Sequence, residues 1–139
     1  MPSLTFEIPG VPVPKGRARS TRSGHHYTPA KTRAYEQLVA LYARKAMGKS
    51  KPLTCPIDLA VYFDLPIPKS WSAPKRKFAE EDFIKHTTRP DADNLLKSIK
   101  DGCNGVLWLD DSQVWKVMAC KSYGTVPRAT VQISWSDVP

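Results

Sequence analysis

The chain has 139 residues, 41% hydrophobic and 24% charged, with 21 Lys and Arg against 13 Asp and Glu and a net charge of +8. That length fits one domain with its own core, and the composition excludes disordered, collagen-like and coiled-coil chains. No apolar run nears the roughly 20 residues of a bilayer span, and the start MPSLTFEIPG lacks the basic and apolar regions of a signal peptide. A soluble cytoplasmic protein with no membrane partner is expected, and the charge balance points to a polyanion such as nucleic acid.

In chain order, Leu4, Phe6 and Ile8 alternate with Thr5 and Glu7, the period of a half-buried strand. Pro9, Gly10, Pro12, Pro14 and Gly16 then break regular structure. Lys15, Arg17, Arg19, Arg22, Lys31 and Arg33 follow with no acid between Ile8 and Tyr35, so these cations ride on an extended loop able to track a phosphate backbone. Tyr35, Leu38, Val39, Tyr42 and Ala46 recur at helical spacing until Gly48 stops them. Ile57, Leu59, Val61 and Phe63 form a second alternating strand that ends before Pro66.

The basic stretch Lys69 to Lys77 holds Trp71 and Arg76; Trp71 reads as packed inward, the usual place of a tryptophan, with base stacking as the alternative. A short helix after Pro74 is expected to carry Glu80, Glu81 and Asp82. From Asp93 to Gly105, Leu95, Leu96, Ile99, Gly102 and Cys103 share one helical arc. Gln113 to Tyr123 and Ala129 to Trp135 read as two strands joined into a hairpin through Gly124 and Pro127. Cys55, Cys103 and Cys120 show neither disulfide nor zinc spacing and read as reduced and partly buried. The fold class is α+β: a single compact domain over residues 1–139, a mixed β-sheet covered by helices.

The chemistry-bearing residues gather in Arg89-Pro90-Asp91-Ala92-Asp93-Asn94-Leu95-Leu96-Lys97 and Trp108-Leu109-Asp110-Asp111-Ser112-Gln113, one stretch on each side of a helix. Asp93 stands at the expected N-cap, and if residues 106–109 pair back along the sheet, Asp110 and Asp111 return beside Asp91 and Asp93. Carboxylates brought together repel unless a cation lies between them, and Mg²⁺ or Mn²⁺ takes such oxygen ligands while leaving room for a phosphate. Lys97, one turn beyond Asp93, is placed to stabilise charge on a transferring phosphoryl group. The same spacing also describes an N-cap, an i,i+4 series Asp93, Lys97, Asp101 and a plain Asp110-Asp111 turn; spacing alone leaves both readings open.

These blocks, with Pro14-Lys15-Gly16-Arg17, Asp101, Asn104-Gly105 and the run from Val106 to Val114, strongly resemble the RusA family of Holliday junction resolvases of bacteria and their phages or prophages. The resemblance implies a homodimeric, Mg²⁺- or Mn²⁺-dependent endodeoxyribonuclease that nicks four-way branched DNA in pairs during recombination and repair. It implies Asp91, Asp93 and Asp111 as metal-binding catalytic acids, Lys97 as the catalytic lysine and Asp110 as a secondary acid at the metal. Ala18 and Gly102-Cys103 depart from the family pattern without touching a ligand position. Lys15, Arg17, Arg19, Arg22 and Arg76 are expected to hold the DNA backbone. The competing expectations are a non-catalytic basic DNA-binding module and a nuclease for flaps or other branched DNA.

Overall fold

The computed structural model describes residues 1–16 and 19–136, with residues 19, 20, 26 and 27 described by backbone only. Strand β1 (Ser3–Pro9) leads through the proline-rich segment to a small ribbon of β2 (Arg19–Ser20) and β3 (His26–Tyr27). Helix α1 (Ala30–Met47) follows, then β4 (Ile57–Pro66), α2 (Ala73–Glu80), α3 (Ala92–Cys103), β5 (Val114–Gly124) and β6 (Arg128–Trp135). The α+β class and the mixed sheet therefore hold.

Strict alternation makes β4 the centre of the molecule. Ile57, Leu59, Val61, Phe63 and Leu65 are buried on one face, while Asp58, Ala60, Tyr62 and Asp64 lie on the other. The helices cover the buried face: Tyr35, Val39 and Ala43 of α1 and Leu95, Ile99 and Cys103 of α3 join Ile8, Val131 and Ile133 in one core. Each large side chain removed from water in this way stabilises the fold by about 1.5–3 kcal/mol relative to exposure. Gly102 sets how closely the helices approach, because a Cβ there would stand 2.7 Å from the Val39 side chain and 2.9 Å from the Glu36 carbonyl oxygen. The departure from the family pattern noted at this position is thus a packing feature.

The expected hairpin of the last two strands does not form. The sheet order is β1-β6-β4-β5, with β6 antiparallel to both β1 and β4 and β5 parallel to β4 on the outer edge. The turn near Pro127 reverses the chain as its composition predicts, but turn chemistry fixes direction and not the neighbour. The apolar face of β6, with Ala129, Val131 and Ile133 fully buried, is placed between the two other apolar strands. β5 is left with exposed Trp115, Val117 and Met118 at the edge. It begins with a bulge at Trp115, since Ile57 pairs with Val114 and Asp58 with Lys116.

Helix α2 also departs from expectation. It starts before Pro74, capped by the Ser72 hydroxyl accepting from the Lys75 amide, and ends at Glu80, so Glu81 is its C-cap and Asp82 lies beyond it at φ 63°. Trp71 packs inward as expected, edge-on to Tyr123 at 5.1 Å between ring centres, with the Lys75 ammonium 4.0 Å from its own ring centre. The three cysteines are free; Cys103 is in the core, Cys55 is half-buried and Cys120 is exposed.

Candidate active site

The N-cap of α3 stands two residues earlier than its sequence suggests. Asp91, not Asp93, is the N-cap, and its extended backbone presents a carbonyl that accepts the Leu95 amide at 3.1 Å. The Asp91 carboxylate makes no capping hydrogen bond and is exposed. Asp93 falls in the first turn, where the aligned amides of the helix favour a negative charge.

Helical periodicity then places Asp93, Leu96, Lys97, Lys100 and Asp101 along one face. These residues and Asp111 line a pocket of about 200 Å³. Asp91 and Asn94 instead face an adjoining groove of about 490 Å³, shared with Pro14, Lys15, Arg89 and Pro90. Among the described residues, no three His, Cys, Asp or Glu side chains stand together as a ready-made metal cage.

Asp111 reaches the pocket by a route other than the sheet. After α3, residues 106–109 do not become a strand; Leu107 accepts from the Leu53 amide at 2.8 Å and Leu109 donates to the Leu53 carbonyl at 3.3 Å. This seats Trp108 in the core, fully buried, and its indole Nε1 donates to Asp111 Oδ1 at 2.8 Å. A single 3-10 turn, Asp111–Gln113, follows. Asp110 caps it, with Oδ2 accepting from the Ser112 amide at 2.9 Å while Gln113 Oε1 accepts from the Asp110 amide at 2.9 Å. Gln113 Nε2 ties the turn to the carbonyls of Leu53 and Cys55 at 2.8 and 3.0 Å. Hydrogen bonds from Ser112, side chain and backbone, hold the Asp110 carboxyl below the usual carboxylate range.

Residues 9–134 match the sequence profile of the endodeoxyribonuclease RusA family. The chain belongs to the RusA family. It is also similar to YqaN of Bacillus subtilis (strain 168), a protein described as uncharacterised, with 38% identity over 138 residues that cover 96% of each chain. The match spans the whole of the acidic pocket and the adjoining groove. No helix among the described residues is long and apolar enough to cross a membrane.

Within this chain the acids singled out from sequence divide into three kinds. Asp93 and Asp111 share the pocket with Lys97, Asp91 faces the neighbouring groove, and Asp110 is a turn cap. Asp91, Asp93 and Lys97 make no ion pair with any described residue, so the Asp93, Lys97, Asp101 series that the spacing also allowed is not formed by ion pairs.

Asp101 pairs elsewhere. Lys15 Nζ lies 2.6 Å from Glu36 Oε1 and 2.9 Å from Asp101 Oδ2, and its amide donates to the Asn94 carbonyl at 2.9 Å. Burial opposes the Lys15 charge, but hydrogen bonds to Asp101 and Glu36 outweigh it and raise the pKa above the ordinary lysine value. Lys15, expected as a backbone-binding cation, is ion-paired within the protein, and its ammonium fastens the loop to α1 and α3. The counter-charges lie outside the acid-free stretch, Glu36 directly after its end at Tyr35 and Asp101 far along the chain.

Of the other basic residues, Arg22 is exposed, and Arg76 is half-buried with Nη1 donating to the Pro68 carbonyl at 2.9 Å. Arg17 lies outside the described residues, as does the side chain of Arg19. Sequence reasoning assigned no role to Trp108, Gln113 or Glu36. The signal was present only for Gln113, three residues after Asp110 in capping-box spacing.

Proposed function

We propose that the protein is a divalent-metal-dependent endodeoxyribonuclease that resolves four-way DNA junctions during recombination and repair. The observation that carries this reading is the convergence of Asp93, Lys97 and Asp111 on one open pocket in a chain of the RusA family. Two carboxylates on an accessible pocket suit Mg²⁺ or Mn²⁺, because such ions use one or two carboxylates and complete their shells with water and phosphate oxygens. Asp93 and Asp111 are assigned as ligands, and Asp91, two residues before Asp93, as the third.

When bound, the ion supplies Lewis-acid polarisation of a phosphoryl oxygen and a more acidic water. The protein's own part is positional and electrostatic. The Trp108 indole fixes one oxygen of Asp111 and leaves the other for the pocket. The Lys97 ammonium, without an ion-pair partner among the described residues, is available to the charge that develops on the transferring phosphoryl group. Arg17, Arg19, Arg22 and Arg76 are assigned to the phosphate backbone, which makes binding steeply salt-dependent. Two copies related by a two-fold axis would set identical sites on opposed strands of a junction with near two-fold symmetry.

The test is cleavage of a labelled immobile four-way junction beside a linear duplex of the same arm sequence, in Mg²⁺, Mn²⁺ and chelator. Paired nicks on the junction only, and only with metal, are expected. Binding without nicks under every condition would make the protein a DNA-binding module. Equal cleavage of flaps would make it a general branched-DNA nuclease.

A further inference from the structure

The segment that delivers Asp91 to α3 has little structure of its own. Residues 84–90 belong to no helix or strand, and no backbone hydrogen bond joins residues 87–90 to another described part of the chain. Backbone hydrogen bonds therefore anchor this entry to the helix on the α3 side alone, where the Asp91 carbonyl accepts from the Leu95 amide. One side chain supplies the missing tether. Lys121 Nζ donates to the Thr88 carbonyl at 2.8 Å and to the Pro90 carbonyl at 2.9 Å, gripping the backbone on both sides of Arg89 and ending at the residue before Asp91.

The grip originates in the sheet. Lys121 pairs with Phe63 in the parallel register of β4 and β5, two residues before the buried Tyr123. Tyr123 packs against His86 at 4.6 Å between ring centres, which holds the segment from its other end. Lys121 is thus based on a strand of the sheet, and its ammonium reaches a segment that belongs to no helix or strand. It meets neutral carbonyl oxygens there, so its charge is not cancelled by a carboxylate.

We infer that Lys121 is a positioning residue of the nuclease site: it fixes Thr88–Asp91 against β5 and so sets where Arg89 and the Asp91 carboxylate stand beside the pocket. This inference rests on the assignment of Asp91 as a metal ligand. Substitution of groups that orient metal ligands through a second contact typically lowers activity by about 10- to 100-fold, and a similar loss is expected here.

The experiment compares wild type with Lys121→Met and Lys121→Arg on the same four-way junction. It measures single-turnover cleavage, junction affinity in chelator, and thermal melting. Lys121→Met keeps the aliphatic stem and leaves both carbonyls without a donor; Lys121→Arg restores donors. The expected result is a cleavage rate about 10- to 100-fold lower for Lys121→Met, with affinity in chelator within about twofold, and recovery of most of the rate in Lys121→Arg.

A Lys121→Met rate within about twofold of wild type overturns the inference. So does a loss confined to junction affinity, or a loss in Lys121→Arg as deep as in Lys121→Met while both variants melt as wild type does. If Lys121→Met fails to fold, Lys121→Leu, which likewise has an apolar stem and no donor, takes its place under the same criteria. An inactive wild-type protein would instead count against the nuclease reading itself, so the two failures are distinguishable.

Discussion

In the C-terminal half of α3, Asp101 meets the Lys15 ammonium at 2.9 Å, and Glu36 of α1 completes the group with side chains only about a fifth exposed. In the N-terminal half, Asp93 and Lys97 stand one turn apart on the same helix face and pair with no described residue. The two halves carry the same chemistry in different states. Charges satisfied inside the protein have a fixed geometry and tie the proline-rich loop to two helices; removing one partner strands the others. Charges left open gain little for the fold and are the ones a phosphate or a metal ion can meet. Mutation should therefore separate the halves cleanly, the first by stability and the second by catalysis.

The largest separation is expected at the open half. Lys97→Met should lower the cleavage rate by about 100-fold, the usual loss when a group that stabilises transition-state charge is removed. Melting should be unchanged, because no internal ion pair is broken. Asp111→Asn should behave in the same way, since asparagine keeps an oxygen for the Trp108 indole while losing the charge. A fall in melting temperature in step with the rate would place these residues with the structural half and erase the contrast.

The reverse pattern is expected for Lys15→Met, which should cost about 1–3 kcal/mol in stability, measured by denaturant unfolding, because two charge-assisted hydrogen bonds are lost. The effect should be non-additive with Asp101→Asn, since the two residues share one network. Additive losses would show that the pair is not an energetic unit.

A smaller effect concerns pH. Burial, with the nearby Lys121 ammonium, holds His86 below its ordinary pKa of 6.5, so the unfolded chain takes up a proton more readily than the folded one. The stability contributed by neutral His86 is present above 6.5 and is lost as pH falls through that value towards the lower folded pKa. Melting curves at pH 7.5 and 5.5 should show an acid-side loss that shrinks in His86→Gln. An equal loss in both proteins would assign the acid sensitivity to other groups.

Patterns confined to a single segment were the legible ones. The alternation of Ile57, Leu59, Val61 and Phe63 and the arc of Leu95, Ile99 and Cys103 gave strand and helix directly, because burial of one face is a local property of the sequence. The partner of β5 was not legible: a turn reverses the chain, but the choice of neighbour depends on every other strand competing for the centre of the sheet. The same boundary runs through the site. Asp93, Lys97 and Asp111 could be named from their motifs, whereas the pairing of Lys15 with Asp101, and the reach of Lys121 to Pro90, join residues far apart in the chain that no local pattern connects. Asp93 as N-cap failed by two residues, because Asp91 takes the extended conformation that ends the loop.

The most direct test of the contrast drawn along α3 is a single comparison of Asp93→Asn with wild type on one labelled four-way junction. Cleavage in Mg²⁺, affinity in chelator and thermal melting are read from the same preparation. Cleavage lowered by about 100-fold or more, with affinity and melting close to wild type, is the expected result. Cleavage retained, or lost only in proportion to affinity or melting, would contradict the assignment of this open carboxylate to the chemistry.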